Sequence, residues 1–316
     1  MKNKLLAVMA IFGMVASASA VKINNNLSIN GFIDGAYSNY NQKGSTGNDA
    51  QALGVDEVEL NFVLNSGSVS GLVAIDTDLS GSERSADDNI DIEQAHFSYN
   101  LSDSVTVTFG RYGAGLGFER EDPAGLYTYS RAYGHSDFNL GDVDTNVVDG
   151  LTVSYSVDAI TVAASLEEQV DTNVEINDLN LELSFSYTGF QGVTIGGGYA
   201  FDNRPAAADE QNVLNIHASK QVGKLFVAGE YIELIKDNAD RDGYLLLADY
   251  DFNSKLGAAI RISSNENTGN NGDYDKVTIA PNYAITDNLG AIIEYSDISN
   301  NNVDAHEYAV ELTYTF

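Results

Sequence analysis

Residues 306–316 read HEYAVELTYTF and alternate between large apolar side chains and small or polar ones. The large apolar positions fall on every second residue and are Tyr308, Val310, Leu312, Tyr314 and Phe316. Successive side chains of a β-strand point to opposite faces, so this period predicts a strand with one apolar face and one polar face. A strand of a soluble sheet could carry the same pattern, and the rest of the chain has to distinguish a soluble sheet from a membrane barrel.

The same alternation recurs along the whole chain, in about sixteen segments that begin with residues 27–37. Each segment has about nine to eleven residues, which is the length that a tilted strand needs to cross the hydrocarbon of a bilayer. An even number of strands is typical of single-chain bacterial barrels. The segments leave no internal domain boundary.

The links between the segments alternate in length. Every second link is short, as at residues 65–68 and 101–104, and the others are long, as at residues 41–54 and 112–145. Short turns at one end and long loops at the other are the layout of transmembrane barrels, whereas a soluble sandwich gives no reason for it. The sequence therefore predicts an all-β fold, a transmembrane antiparallel up-and-down β-barrel of about sixteen strands.

Aromatic residues gather at the two ends of the apolar faces. One set is Tyr99, Tyr187, Phe252, Tyr283 and Phe316, and the other is Tyr37, Phe201, Tyr231, Tyr244, Tyr295 and Tyr308. Aromatic girdles are typical of both membrane interfaces, although tyrosine is also a good strand residue in any sheet. We favour girdles because the middle of each apolar face is mostly Val, Leu, Ile and Ala.

The first twenty residues have the pattern of a signal peptide. Lys2 and Lys4 precede an apolar run at residues 5–15, and Ala18-Ser19-Ala20 supplies small residues for cleavage. We expect residues 1–20 to be removed and residues 21–316 to form the barrel domain. The chain has no cysteine, which excludes a disulfide scaffold. Its net charge of −30 argues against nucleic acid as a partner.

The C-terminal segment ends in a phenylalanine and resembles the last-strand signature of Gram-negative outer-membrane barrels. Short motifs elsewhere resemble the OmpL-like porin family and, more loosely, the general Gram-negative porins. These motifs are FGR at 109–111, GFE at 117–119, YSRAY at 129–133, APNY at 280–283 and EYS at 294–296.

The resemblance implies an outer-membrane porin surrounded by lipid and lipopolysaccharide, which passes ions and small hydrophilic solutes by passive diffusion. It also implies a homotrimer, and a last strand that the barrel-assembly machinery recognises. The assembly signal would consist of Tyr308, Val310, Leu312, Tyr314 and Phe316.

The polar faces of the strands predict a wet interior. The charged residues that strand parity places there and that we assign to the pore lining are Asp34, Glu57, Glu59, Glu182, Glu230, Asp249, Asp251, Arg261, Lys276, Glu294 and Glu311. So many carboxylates could not be buried dry, and a sixteen-stranded barrel is too wide for side chains to fill. Because acidic positions outnumber basic ones, we expect a channel that prefers cations. The alternative is that much of this charge only keeps the rims and loops soluble.

The long link at residues 112–145 follows the fifth predicted strand, where general porins fold an external loop into the barrel. The resemblance implies a pore constriction at Arg111, Glu119, Arg120, Glu121, Asp122 and Arg131. General porins set a cationic wall against acidic loop residues, but here the wall is mainly acidic and the arginines lie in or beside the loop. This departure leaves the selectivity open, and an ordinary external loop is the alternative.

We expect no cofactor, and the alternative is a calcium ion bound in a loop. Asp76, Asp78, Ser80 and Asp87 match the one, three, five and twelve spacing of a calcium loop. The twelfth position is normally glutamate, no helices are expected around it, and polar loops give this match by chance.

Other functions have less support. The four histidines lie in separate segments and no Gly-x-Ser-x-Gly motif is present, so we do not expect an enzyme. A substrate-selective channel with an aromatic track along Tyr127, Tyr129 and Tyr133 is the first alternative function. The second alternative is a structural or adhesive barrel whose external loops bind a partner.

Overall fold

The structure is a computed structural model. It describes residues 20–43, 50–78, 90–120, 123–133, 135–138, 147–168, 179–203, 211–236, 240–267, 273–300 and 304–316. Residues 1–19, which contain nearly all of the expected signal peptide, lie outside the described residues. Within the described ranges, no helix is long and apolar enough to cross a membrane.

Almost all of the described chain is in β-strands, with two short 3₁₀ turns in the link between the sixth and seventh strands. In chain order the elements are β1 (Val21–Lys22), β2 (Leu27–Gln42), β3 (Ala50–Ser66), β4 (Val69–Asp78), β5 (Asp91–Asn100), β6 (Val105–Gly113), η1 (Pro123–Gly125), η2 (His135–Phe138), β7 (Val147–Val157), β8 (Ile160–Glu168), β9 (Asn180–Phe190), β10 (Val193–Phe201), β11 (Gln211–Val222), β12 (Leu225–Lys236), β13 (Arg241–Asp251), β14 (Leu256–Asn267), β15 (Tyr274–Ala284), β16 (Leu289–Asn300) and β17 (Ala305–Thr315).

The strands β2 to β17 form a closed antiparallel barrel in which each strand pairs with its neighbours in sequence. The last strand closes the ring on β2, from Ala305 opposite Gln42 to Thr315 opposite Phe32. The two-residue β1 is an extra strand that pairs with β2. The predicted barrel of sixteen strands is therefore confirmed.

The two ends of the barrel differ as the sequence predicts. The turns after β3, β5, β7, β9, β11, β13 and β15 have two to four residues, and we call this end the short-turn end. The opposite ends of the barrel strands, where the longer links join them, form the long-link end, and the longest of these links joins β6 to β7. The strand predicted at residues 27–37 is β2, and it is longer than predicted. Its ladder with β3 continues to Tyr40, which lies opposite Ala50.

The two faces of each strand separate as the two-residue period predicts. On β17, Val310 is 45% exposed on the outer face, whereas Glu311 is 2% exposed on the inner face. A bulge at Asp56 of β3, opposite the step from Asp34 to Gly35 of β2, interrupts the ladder between the two strands, yet the outer face stays apolar on both sides of it. Buried apolar residues collect inside the barrel, where the link between β6 and β7 packs against β10 to β15.

Gly110 provides a test of this backbone. It has a φ of 123° in the middle of β6, and a Cβ atom there would collide with the carbonyl oxygen of Ala95 on β5. We expect Gly110→Ala to lower the free energy of unfolding by about 1–3 kcal/mol, the usual cost of a residue in a sparsely populated backbone region. The measurement is urea unfolding of the detergent-folded barrel, followed by circular dichroism.

The control is Gly290→Ala, because a Cβ atom at Gly290 has no neighbouring atom within 4 Å. Equal unfolding midpoints for the two variants would contradict the role assigned to Gly110.

Candidate functional site

The described part of the link between β6 and β7 lies inside the barrel. We call this part, residues 114–120, 123–133 and 135–138, the inner loop. It leaves β6 and runs along the inner faces of strands on the other side of the barrel, where Phe118 N donates a hydrogen bond to Glu230 on β12 at 2.5 Å. Further along, the hydroxyl of Tyr274 on β15 donates to the carbonyl oxygen of Ala132 at 2.8 Å. The loop thus narrows the barrel.

Arg261 on β14 is the central anchor of the inner loop. Its side chain is fully buried, and Nη1 donates to both carboxylate oxygens of Glu119 at 2.9 and 3.0 Å. The same nitrogen lies 2.7 Å from Thr128 Oγ1 and 2.6 Å from the carbonyl oxygen of Ser130. Glu119 also accepts from Ala132 N at 2.7 Å, so one ion pair ties together two segments of the loop. Charge-assisted bonds of this kind are about twice as strong as neutral ones.

Glu230 on β12 is a second anchor. Its carboxylate accepts hydrogen bonds from Phe118 N, from the Tyr133 hydroxyl and, at 2.7 Å, from Asn215 Nδ2 on β11. Burial and the negative charge of Glu230 raise the pKa of Tyr133 well above its ordinary value. The phenol therefore keeps its proton and remains a hydrogen-bond donor to the wall.

Ser130 is the third contact point. Its backbone N–H donates to Glu294 Oε2 on β16 at 3.1 Å, and its hydroxyl donates to the other oxygen of the same carboxylate. Lys276 on β15 donates to Ser130 Oγ at 2.6 Å and to Glu307 Oε2 on β17 at 3.1 Å. Arg261 and Lys276, two cations of the inner wall, are thus engaged in holding the inner loop.

Apolar and ionic contacts complete the attachment. Phe138 is 2% exposed and belongs to the same buried cluster as Ile232 on β12. Asp137 forms an ion pair with Arg241 Nη1 of β13 at 2.5 Å. Sequence reasoning missed Thr128, Ser130 and Asp137, because nothing in their local sequence indicates which wall residues they meet.

The residues predicted for the constriction do not all lie in the inner loop. Glu119, Arg120 and Arg131 belong to the inner loop, and Glu121 and Asp122 lie outside the described residues. Burial lowers the pKa of the Arg120 guanidinium, and the nearby carboxylates, Glu182 on β9 foremost, act in the opposite direction.

Arg111 does not belong with this group. It lies on the outer face of β6, where Nη1 forms an ion pair with Asp149 Oδ2 of β7 at 3.2 Å. The expectation that it stands at the constriction is wrong, because Arg111 is a strand residue with the same parity as the exposed Phe109. The next residue, Tyr112, is 1% exposed and faces inward.

The residues predicted to line the pore lie on the inner faces of their strands. Glu230, Arg261, Lys276 and Glu294 contact the inner loop as described above, and Glu182 accepts a hydrogen bond from the backbone of Gly115 in that loop. Asp249 accepts a hydrogen bond from Asn282 Nδ2 at 3.1 Å. Whether ions contact these side chains stays a prediction.

A separate group of carboxylates lies on neighbouring strands β2, β3 and β4. Asp34 is directly opposite Glu57, and Glu59 is directly opposite Asp76. We call these four residues the acidic ladder. This part of the inner wall concentrates negative charge. Like charges that are directly opposite in a sheet repel each other, so these pairs destabilise the sheet locally. Glu311 on β17 extends it, since Thr313 beside it donates to Asp34 at 2.8 Å.

The structure describes only part of the predicted calcium loop. Asp76 and Asp78 belong to β4 rather than to a loop, while Ser80 and Asp87 lie outside the described residues. Within the described residues, no group of three or more His, Cys, Asp or Glu side chains could hold a metal ion. Calcium binding at Asp76, Asp78, Ser80 and Asp87 stays a prediction.

The tyrosines of the expected aromatic track point to different places. Tyr127 stacks on Phe226 of β12 with ring centroids 4.9 Å apart, and Tyr133 binds Glu230. Tyr129 hydrogen bonds to Ser38 of β2, and burial, which outweighs that bond, raises its pKa to about 12. The three rings therefore do not form one continuous strip.

The chain matches the family model described as Gram-negative porin over residues 5–314. Among solved structures it is similar to the outer-membrane channel DcaP of Acinetobacter baumannii, at a TM-score of 0.69 and 12% identity, with 96% of this chain and 100% of that chain covered. It is also similar to the anion-selective porin from Comamonas acidovorans, at a TM-score of 0.69 and 10% identity, covering 92% and 99%. The trimer form of OmpT from Vibrio cholerae gives a TM-score of 0.61 and 15% identity, covering 92% and 100%. No curated protein matches the chain significantly.

Removing the central anchor tests the attachment of the inner loop. Arg261→Met keeps the volume but leaves the Glu119 carboxylate buried without its cation, a loss of about 3–5 kcal/mol. Because the strand ladders do not depend on this contact, we expect the loop to detach and the barrel to stay folded. The measurement is single-channel current in planar bilayers, where the conductance should rise and fluctuate.

The control is Lys43→Met, since the ion pair of Lys43 with Asp297 is exposed and such pairs contribute less than about 1 kcal/mol. An Arg261→Met channel with the conductance of the unaltered protein would argue against the anchor.

Proposed function

The chain belongs to the Gram-negative porin family and is an outer-membrane protein, and from this premise we propose that it forms a water-filled channel for the passive diffusion of ions and small hydrophilic solutes. The observation that carries the proposal is the polar inner wall with an inner loop held against one side of it. A sixteen-stranded barrel is wide enough to hold water, and the inner loop covers part of its inner wall.

We further propose that the channel prefers cations. The acidic ladder concentrates four carboxylates on three adjacent strands, while Arg261 and Lys276 are bound to the loop and its carboxylate partners. Carboxylates that line a pore lower the energy of cations passing them and raise that of anions. The similar porin from Comamonas acidovorans is anion-selective, so the fold permits either preference and the side chains decide.

We propose a homotrimer as the assembled form, which the trimer form of the similar OmpT supports. We expect no catalytic activity. A substrate-selective channel has less support than general diffusion, because the three tyrosines of the expected track diverge. An adhesive role would depend on the long links, most of whose residues lie outside the described ranges.

Reconstitution tests the channel directly. We expect ohmic single-channel steps in planar bilayers and, across a potassium chloride gradient, a reversal potential of the sign that potassium permeation gives. Anion-selective steps would refute the cation preference and keep the channel. A folded, heat-modifiable barrel that gives no steps would refute diffusion as its function.

The acidic ladder has its own test in the double variant Glu57→Gln with Asp76→Asn. Two unit charges about 4 Å apart interact by about 1 kcal/mol even in water, so each lost carboxylate should lower the local cation concentration several-fold. We expect the reversal potential to move toward zero.

The matched control is Asp297→Asn, which removes a carboxylate from the outer face of β16. An equal shift of the reversal potential in both proteins would show that only net charge matters, against a role for the ladder.

A further inference from the structure

The inner wall toward the short-turn end of β5 to β8 carries hydroxyl groups in place of charges. Residues 96–100, 106–110, 150–156 and 161–165 contain no Asp, Glu, Lys or Arg. Their inward side chains include a set of hydroxyls that we call the hydroxyl patch: Ser98, Thr106, Thr108, Thr152, Ser154, Ser156, Thr161 and Ser165. The acidic ladder and the wall anchors of the inner loop lie on other strands. The patch therefore offers hydrogen bonds without net charge.

The hydroxyls of the patch lie in register across neighbouring strands. Ser98 is directly opposite Thr108, and their hydroxyl oxygens are 2.7 Å apart. On the next pair of strands Thr152 is opposite Ser165, again with 2.7 Å between the hydroxyl oxygens. A hydroxyl has one donor and two acceptor positions, so one bond to a neighbour leaves capacity for a solute. Ser98 is partly exposed whereas Thr108 is buried, so the buried hydroxyl orients the exposed one.

His96 borders the patch and is not engaged by the wall. It lies two residues before Ser98 on the inner face of β5 and is 8% exposed. Neither of its ring nitrogens has a hydrogen-bond partner among the described residues. A neutral imidazole has one donor and one acceptor nitrogen, and buried polar groups that stay unsatisfied are unfavourable. The ring is therefore suited to a group that both donates and accepts.

The wall beside His96 is low. Gly110 lies directly opposite His96, and Gly150 lies directly opposite Gly110, so two neighbouring positions have no side chain. Tyr112 reaches over Gly150, because a Cβ atom there would lie 2.6 Å from the tyrosine hydroxyl oxygen. Its ring meets that of His96 edge-on, with ring centroids 6.3 Å apart. A histidine and a tyrosine thus stand together beside the hydroxyl patch.

We propose that His96 and the hydroxyl patch form a subsite that binds neutral saccharides on their way through the barrel. This inference rests on the channel proposed above and names a class of solute for it. Each hydroxyl of a sugar can donate and accept, and so it matches both the patch and the nitrogens of His96. Neighbouring strands are about 4.8 Å apart, so the hydroxyls of the patch repeat at about the width of one pyranose ring.

The same chemistry disfavours other classes of solute at this place. An ion would exchange water for a surface that has no opposite charge, which is unfavourable. An apolar molecule would cover the hydroxyls and His96 without giving them hydrogen bonds. Cations attracted by the acidic ladder and saccharides bound on β5 to β8 therefore use separate parts of the inner wall.

Current block by maltotriose, an uncharged saccharide, tests the subsite. We expect maltotriose to interrupt the single-channel potassium current in a saturable, concentration-dependent way. His96→Phe keeps an aromatic ring beside Tyr112 but removes both nitrogens, and Ser98→Ala removes one hydroxyl. Because each variant loses neutral hydrogen bonds, the apparent affinity for maltotriose should fall by roughly 2- to 10-fold in each.

The matched control is His217→Phe. His217 is a histidine of the inner face of β11 whose Nδ1 lies 3.1 Å from Asn215 Oδ1, and phenylalanine keeps its ring contact with Phe118. We expect this variant to bind maltotriose as the unaltered protein does. Equal losses of affinity in His96→Phe and His217→Phe would overturn the assigned location. Full affinity in both His96→Phe and Ser98→Ala would overturn it as well.

Two further measurements separate the subsite from the channel. Block by glucose is compared with block by glucuronate and by glucosamine, and tighter binding of either charged sugar would overturn the neutral class. Equilibrium dialysis of radiolabelled maltotriose against the folded barrel in detergent measures binding without any current. Absence of binding would overturn the subsite even if the barrel conducts ions. Binding by a barrel that gives no ionic current would support the subsite and refute the channel.

Discussion

The ladder between β17 and β2 is the interaction on which the rest of the structure depends. A sheet that spans a membrane cannot leave an edge unpaired, because each unsatisfied backbone group in hydrocarbon costs several kcal/mol. Here the C-terminal residue completes the pairing, since Phe316 N donates to Gly31 O and Gly31 N donates to Phe316 O, both at 3.0 Å. Only a closed ring fixes which faces are inside, and only an enclosed interior gives the inner loop a wall to attach to.

Within that ring, a small number of buried charges decides where the inner loop lies. Arg261, Glu230 and Glu294 come from β14, β12 and β16, and each is a buried side chain that is hydrogen-bonded to the loop. A buried charge is tolerated only when it is paired and hydrogen-bonded, so each anchor specifies one position of the loop rather than a range of positions. Apolar contacts such as that of Phe138 with the wall add area but less geometric precision.

The strands and their faces could be predicted from the sequence because both follow from a local period of two residues. The number of barrel strands, the alternation of link lengths and the outward position of Val310 and Leu312 all depend on neighbours a few residues apart. The partners of the inner loop could not be predicted in this way. Glu119 meets Arg261 across 142 positions of sequence, and only the closed barrel brings the two together. Arg111 is the opposite case, because the family resemblance implies a place at the constriction, whereas local strand parity already puts it on the outer face.

The separation between the carboxylates that anchor the inner loop and those of the acidic ladder has a consequence for how such a channel can diverge. The contacts that hold the inner loop, and with it the proposed width of the bore, come mainly from β12 to β16, whereas the carboxylates behind the proposed cation preference lie on β2 to β4. Substitutions in one set leave the hydrogen bonds of the other intact, because contributions of distant, unconnected sites are close to additive. A descendant of this chain could therefore change which solutes it admits by charge while conserving its size limit, or change the size limit while conserving its charge preference.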